Sequence, residues 1–192
     1  MLITHNMKNK KLLLGIAWAW LTCLSANAEV KLPAFFSDGM VMQQQTRANL
    51  WGTATPNAPV KITTSWDKQT YKTIADAKGA WKLALSTPSA GGPYTITFDD
   101  GKLTEIRDIL MGELWLCSGQ SNMEMPMKGF KNQPVENSNT DVMNSRNPQL
   151  RLFTVKRSSS FTPKTDVVGT WQEAVPATVR EFSATAYYFG RM

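Results

Sequence analysis

The residues of this chain that are best placed to do chemistry form a short polar sequence after an apolar run. Gly119-Gln120-Ser121-Asn122 places a serine hydroxyl on a predicted tight turn. Such a hydroxyl attacks a carbonyl carbon when a base removes its proton and when aimed donors stabilise the oxyanion. The turn offers the Ser121 hydroxyl as nucleophile and the Ser121 backbone N–H as an oxyanion donor. The pattern therefore indicates acyl transfer, although four small polar residues also occur in plain turns.

The base that this chemistry requires is missing from the region around the serine. The chain has one histidine, His5, in a segment that we expect to be removed. A Cys–His nucleophile is thereby excluded, and Cys117 is predicted to be a small buried hydrophobic residue. Met123 stands where the G-x-S-x-G elbow of α/β-hydrolases has its second glycine. With one cysteine and no histidine left after processing, we expect no metal site.

The N-terminus has the pattern of a secretory signal peptide over residues 1–28. A segment with three lysines precedes the apolar run Leu12–Ala26, and Ala26-Asn27-Ala28 fits the small-x-small cleavage rule. We expect Glu29 to begin a mature protein that is secreted or periplasmic and has no membrane segment. A membrane anchor is the alternative, but the apolar run is shorter than the roughly 20 residues that a spanning helix needs. A lipoprotein processed at Cys23 is a weaker alternative.

The charge of the chain argues against a nucleic-acid partner. The formal net charge is +6, but the signal peptide carries three lysines and no acidic residue. The mature chain is therefore only weakly basic. Its lysines and arginines are scattered and form no stripe interleaved with aromatic residues, which nucleic-acid binding would favour.

Residues 29–108 are predicted to form a small β-sandwich domain. Apolar and polar residues alternate with the period of two that indicates half-buried strands, at residues 48–52, 60–64, 71–75, 81–85 and 94–98. The segments between them are rich in turn-forming residues. Regular spacing of this kind is typical of a β-sandwich. Because so short a domain has a thin core, we expect it to pack on the remainder of the chain.

Residues 109–192 show another pattern, which predicts the beginning of an α/β domain. Leu110–Cys117 is almost continuously apolar and predicts a strand covered on both faces. Pro126 limits the helix after Ser121 to a single turn. Residues 128–148 are polar and predict a long surface loop, and residues 150–155 predict a second strand.

The last segment is predicted to be an amphipathic helix. Thr178 and Glu181 have the spacing of a capping box. Apolar residues lie on one stripe at helical spacing, namely Val179, Phe182, Ala186 and Phe189. Because so little sequence comes after this helix, we expect the domain to be incomplete, and residues 109–192 are fewer than the roughly 150 that such a domain needs.

A longer string around the serine, Gly112–Pro126, resembles the nucleophile segment of the sialate O-acetylesterase family, which belongs to the SGNH class of ester hydrolases. Further segments resemble that family in the same order, namely Leu32–Gln43, Leu50–Gly52, Gly79–Trp81, Gly91–Tyr94, Arg151–Val155 and Phe182–Arg191. The resemblance implies a β-sandwich joined to a three-layer α/β hydrolase domain. It also implies removal of O-acetyl groups from sialic acids or other acetylated sugars, without a metal or organic cofactor.

The resemblance also assigns a role to the serine of the turn. Ser121 matches the family's nucleophile, and its neighbours Gln120 and Asn122 are predicted to bind substrate. The family's Asp-x-x-His pair would lie beyond Met192, and we place its oxyanion-hole glycine and asparagine on no residue here. Loss of the histidine typically costs about 10⁶-fold in turnover when a triad acts as a unit. We therefore expect this chain to be the N-terminal part of an esterase and to be inactive alone.

A different class of protein is the alternative, namely a secreted carbohydrate-binding β-sandwich without catalysis. Residues 32–108 and the missing histidine favour it. The apolar run that leads to Ser121 argues against it, because a pure binding module has no use for that run. A cell-surface structural module is a third interpretation, supported only by the signal peptide.

Overall fold

The computed structural model describes residues 29–192, so the signal peptide predicted over residues 1–28 and His5 lie outside the described residues. Within that range the chain is mostly β-structure with a few short helices. The strands are β1 (Val41–Gln43), β2 (Arg47–Thr53), β3 (Pro59–Thr64), β4 (Thr70–Ile74), β5 (Ala80–Ser86), β6 (Gly91–Asp99), β7 (Leu103–Gly112), β8 (Asn147–Phe153) and β9 (Trp171–Ala174). The helices are α1 (Ser121–Glu124), α2 (Ser138–Met143), α3 (Pro176–Val179) and α4 (Ala184–Gly190).

The five strands predicted in the first half of the chain are all present, as β2 to β6. Strand β3 shows why the prediction succeeds. Its side chains alternate strictly between exposed and buried, with Val60, Ile62 and Thr64 on the buried face. Strand β1 was not predicted, and of β7 only the end from Leu110 to Gly112 was predicted, as the start of the strand over Leu110–Cys117.

The strands form one large mixed sheet and two small ones. The large sheet has the order β1-β7-β6-β3-β4, and only the β1–β7 pair in it is parallel. Strands β2 and β5 pair antiparallel from Arg47 opposite Ser86 to Thr53 opposite Ala80. Strands β8 and β9 form the third, antiparallel sheet.

The first two sheets share one hydrophobic core. Leu50 and Leu85 of the β2–β5 sheet are fully buried, as are Ile62, Ile96 and Phe98 of the five-stranded sheet. These side chains belong to a single cluster, which we call the first core. Burial of this apolar surface is the main force that holds the two sheets together.

A second core forms around β8, β9 and the last two helices. Its buried members include Met127, Leu152, Ala174, Val179 and Tyr187. Met127 comes from the segment directly after α1. The second core is therefore the part of the fold that supports the serine turn.

Aromatic side chains and one ion pair join the two cores. The ring of Phe35 lies 5.6 Å from that of Phe153 and 5.3 Å from that of Trp171. The Trp171 indole N–H donates to the Phe35 carbonyl at 2.8 Å. Arg151 on β8 has a side chain only 5% exposed and donates to the Asp108 carboxylate on β7.

The strand predicted over Leu110–Cys117 is wrong beyond Gly112, where β7 ends. Residues 113–119 have no regular structure, and Trp115 and Leu116 are 63% and 91% exposed. Cys117 is exposed as well, so the prediction of a buried thiol is also wrong. The physical reason is that a strand needs a partner for its backbone groups, and no strand of residues 29–192 pairs with this segment.

The single helix predicted from Thr178 is also wrong, because the segment forms α3 and α4 with a break between them. The Thr178 hydroxyl donates to the Glu173 carbonyl at 2.6 Å and accepts from the Val175 N–H at 3.1 Å, inside α3. Ser183 caps the second helix instead and accepts a hydrogen bond from the Ala186 N–H. The polar loop predicted over residues 128–148 contains the short helix α2.

Candidate functional site

Ser121 is the first residue of the one-turn helix α1 and is exposed to solvent. The turn is closed by two backbone hydrogen bonds, from the Glu124 N–H to the Gln120 carbonyl and from the Met125 N–H to the Ser121 carbonyl, both at 3.0 Å. Pro126 comes next in the chain, and the helix ends before it as predicted. No hydrogen bond joins the Ser121 hydroxyl to another residue of the range 29–192. The hydroxyl is therefore open to a ligand.

Backbone pairing fixes the segment that leaves α1 against the segment that enters α4. The Ala184 N–H donates to the Met125 carbonyl at 2.8 Å, and the Met127 N–H donates to the Phe182 carbonyl at 2.9 Å. The Met127 side chain is fully buried in the second core. The serine turn is thus anchored on its C-terminal side by both hydrogen bonds and apolar packing.

Side chains of α4 and its cap also hold the turn. The Thr185 hydroxyl donates to the Asn122 carbonyl at 3.1 Å. The Ser183 hydroxyl lies 3.5 Å from the Met123 sulfur. These contacts leave the Asn122 side-chain amide exposed and available to a substrate.

Glu113 anchors the N-terminal side of the serine segment where it leaves β7. Its carboxylate accepts hydrogen bonds from the side-chain amides of Gln43 at 3.0 Å and Gln44 at 2.8 Å. The Gln43 amide oxygen in turn accepts from the Leu114 N–H at 2.9 Å. The hydrogen bonds from Gln43 and then Gln44 lower the pKa of Glu113, because they favour its charged form.

One ion pair lies beside the serine. Glu124 accepts a hydrogen bond from Arg157 Nη1 at 2.8 Å, and both side chains are largely exposed. Residues three apart on a helix lie on neighbouring positions of one face. Glu124 is therefore the one charged residue of the turn 119–125, and Arg157 is its partner.

The structure keeps the predicted site residues Gln120, Ser121 and Asn122 together and exposed on one turn. It brings no histidine to them, since residues 29–192 contain none. In that same range no group of three or more His, Cys, Asp or Glu side chains is arranged to hold a metal ion. Sequence reasoning missed Arg157, which lies in a long polar stretch with no pattern to single it out.

Comparison with known proteins adds a direct test of the resemblance. Sialate O-acetylesterases from Homo sapiens and Mus musculus are each 28% identical to this chain over 185 residues, which is 87% of the chain. The crystal structure of a novel carbohydrate acetylesterase from Xanthomonas citri matches 85% of the chain with a TM-score of 0.78 and 34% identity. These similarities support the sialate O-acetylesterase family. No family model matches it.

The resemblance seen in the sequence is thus confirmed. The chain spans 34–35% of the length of these mammalian relatives and 36% of the Xanthomonas citri protein. Its mostly β-stranded structure is similar to that of a carbohydrate acetylesterase. Among the described residues, no helix is long and apolar enough to cross a membrane.

Proposed function

We propose that this chain is part of a serine-dependent carbohydrate esterase that removes O-acetyl groups from sialic acids or other acetylated sugars. The observation that carries the proposal is Ser121, whose hydroxyl is exposed at the start of α1 within the segment that resembles the family's nucleophile. The relatives named above are sialate O-acetylesterases and a carbohydrate acetylesterase.

The proposed reaction begins with attack of the Ser121 hydroxyl oxygen on the acetyl carbonyl carbon. A base takes the hydroxyl proton, and the Ser121 backbone N–H donates to the oxyanion. The sugar oxygen leaves with that proton, and water then hydrolyses the acetyl-serine to acetate. Gln120 and Asn122 hold the sugar through their side-chain amides. No step requires a metal or an organic cofactor.

The proposed histidine base and the carboxylate that pairs with it come from outside residues 29–192, because that range contains no histidine. We assign them to an Asp-x-x-His pair, as the family resemblance implies. Residues 29–192 on their own should therefore release no acetate that depends on Ser121. Turnover by this fragment that is lost in Ser121→Ala would overturn the assignment of the base.

The proposal includes a domain organisation and a cellular location. We propose that residues 29–108 form a β-sandwich domain and that residues 109–192 belong to an SGNH-type α/β domain. The two separate cores support a division, and strand β7 runs across the proposed boundary and links the two. We further propose that residues 1–28 are cleaved and that the protein is secreted or periplasmic. N-terminal sequencing of the mature protein should begin at Glu29.

The function is tested with the protein made from the complete reading frame that contains this sequence. Acetate release from an O-acetylated sialic acid and from an acetylated neutral sugar is measured for the wild type, for Ser121→Ala and for Ser118→Ala. Ser121→Ala should lose at least about 10⁴-fold in turnover, since removing a triad nucleophile costs up to about 10⁶-fold. Ser118 is exposed three residues earlier, and its substitution should leave turnover within about threefold. Substantial turnover in Ser121→Ala would exclude Ser121 as the nucleophile.

A further inference from the structure

Arg157 lies beside the serine turn although it is distant in sequence. Its Nη1 atom donates to Glu124 Oε1 at 2.8 Å. Glu124 lies three residues after Ser121 on α1, and side chains with this spacing have Cβ atoms about 5–6 Å apart. The ion pair therefore places the guanidinium at the edge of the site where the acetyl ester would react.

Most of the hydrogen-bonding capacity of Arg157 is unused. Its side chain is 88% exposed, and among residues 29–192 its guanidinium contacts Glu124 alone. A guanidinium has five N–H donors in a planar fork that fits a carboxylate. Arg151 is the opposite case, because it is 5% exposed and both of its terminal nitrogens donate to Asp108.

We propose that Arg157 is a specificity-determining residue that binds the carboxylate of an acidic acetylated sugar while Ser121 attacks the acetyl ester. The inference rests on the proposed function and narrows its substrate class from acetylated sugars in general to anionic ones. Glu124 holds the guanidinium by one nitrogen and leaves the other donors for the substrate. The pairing also neutralises the Glu124 carboxylate, which would otherwise repel an anionic sugar.

The expected selectivity results from the chemistry of the contact. A hydrogen bond between charged groups contributes about 10- to 100-fold in binding where both groups are held in place. A neutral acetylated sugar has no carboxylate and gains nothing from Arg157. Loss of this contact should therefore change the ratio of kcat/KM for acidic and neutral substrates, mainly through KM.

The test uses the protein from the complete reading frame with two substrates, O-acetylated N-acetylneuraminic acid and an acetylated xylo-oligosaccharide. The variants are Arg157→Gln, Arg157→Lys and the control Lys164→Gln. Lys164 is an exposed cation of the same long loop, so its substitution makes an equal change in net charge. Arg157→Gln should raise KM for the acidic sugar about 10-fold or more. It should leave KM for the neutral sugar within about twofold of the wild-type value. Arg157→Lys keeps the charge but lacks the planar fork of donors, so its KM for the acidic sugar should lie between those of the wild type and Arg157→Gln.

The other outcomes contradict either the role of Arg157 or the proposed function. An unchanged acidic-to-neutral ratio in Arg157→Gln, with a wild type active on either sugar, overturns the role of Arg157 and leaves the proposed function standing. An equal loss on both sugars also overturns it, because it indicates a structural role. A wild type that hydrolyses neither acetyl ester overturns the proposed function and this inference with it.

Discussion

Arg151 links the two cores of the molecule, and its replacement by methionine is the most informative stability experiment. Nη1 and Nη2 of Arg151 donate to the Asp108 carboxylate at 2.5 and 3.1 Å, and Nη1 lies 3.4 Å from the Gly39 carbonyl. The Arg151 side chain is 5% exposed, whereas Asp108 is 46% exposed. Methionine keeps most of the buried aliphatic volume, so Arg151→Met removes the charge and the hydrogen bonds with little loss of packing.

The size of the effect depends on the unequal burial of the two partners. Removing one member of a fully buried ion pair costs about 3–5 kcal/mol, because an unpaired charge is left behind. Asp108 is half exposed, so water partly replaces its lost partner. We therefore expect Arg151→Met to lower the free energy of unfolding by about 2–3 kcal/mol, which is about 5–10 °C in Tm for a domain of this size.

The assay is urea and thermal unfolding of residues 29–192, monitored by circular dichroism. A double-mutant cycle with Asp108→Asn separates the pair from the two single changes and should give a coupling energy of at least about 1 kcal/mol. Arg146→Met is the matched control, because Arg146 is exposed and lies next to the same strand. It should change stability by less than about 0.5 kcal/mol. An Arg151→Met variant as stable as this control would refute the reasoning.

Three further predictions concern the turns, the thiol and the pH dependence. Gly79→Ala should destabilise the protein more than Gly101→Ala in urea unfolding. Both glycines have positive φ, but a Cβ at Gly79 would lie 2.5 Å from the Ala54 carbonyl oxygen, whereas a Cβ at Gly101 would meet nothing within 4 Å. An equal loss of unfolding free energy in the two variants would contradict the clash at Gly79. The exposed Cys117 thiol should react fully with Ellman's reagent in native residues 29–192, and a reaction that waits for denaturant would contradict its exposure. Burial, together with a hydrogen bond to Asp141, raises the pKa of Tyr188 from 10.0 to about 12. As the pH rises, the Tyr188 hydroxyl therefore loses its proton in the unfolded chain before it does so in the folded one. The free energy of unfolding should accordingly fall between pH 10 and pH 12. Tyr188→Phe should flatten this fall, and an unchanged slope would exclude Tyr188 as its source.

The strands of the first half were predictable because burial on one face of a strand makes apolar and polar residues alternate in the sequence. In β3 every second side chain is buried, and the alternation alone indicates a strand. Strand β1 has three residues, too few for any period to show. Its place beside β7 depends on a parallel pairing with residues nearly seventy positions later, which local pattern does not encode.

The one-turn helix at Ser121 was predictable for a local reason, while the path that leads to it was not. Pro126 stops a helix through its own ring, whatever surrounds it. The apolar run Leu114–Cys117 has the composition of a buried strand, but a strand forms only where partner backbone is present. The break between α3 and α4 was not predictable for a similar reason. The Thr178 hydroxyl donates to the Glu173 carbonyl, and the Ser183 hydroxyl accepts from the Ala186 N–H. The sequence alone does not show which of the two residues caps a helix.

The contact between Arg157 and Glu124 had no sequence signal at all. The two residues lie 33 positions apart, in segments with no periodic pattern. The second core and the hydrogen bonds between the segment after α1 and the entry to α4 fix the turn that carries Glu124. Long-range side-chain pairs of this kind depend on the assembled fold and not on local propensity.

The most direct measurement of the central claim is to trap the acetyl-enzyme. The protein from the complete reading frame is mixed with an O-acetylated sugar, quenched in acid at early times, digested and analysed by mass spectrometry. We expect one acetyl group on the Ser121 hydroxyl, absent from Ser121→Ala and unchanged in Ser118→Ala. Steady release of acetate with the acetyl group on another residue, or with Ser121 never modified at any quench time, would contradict it.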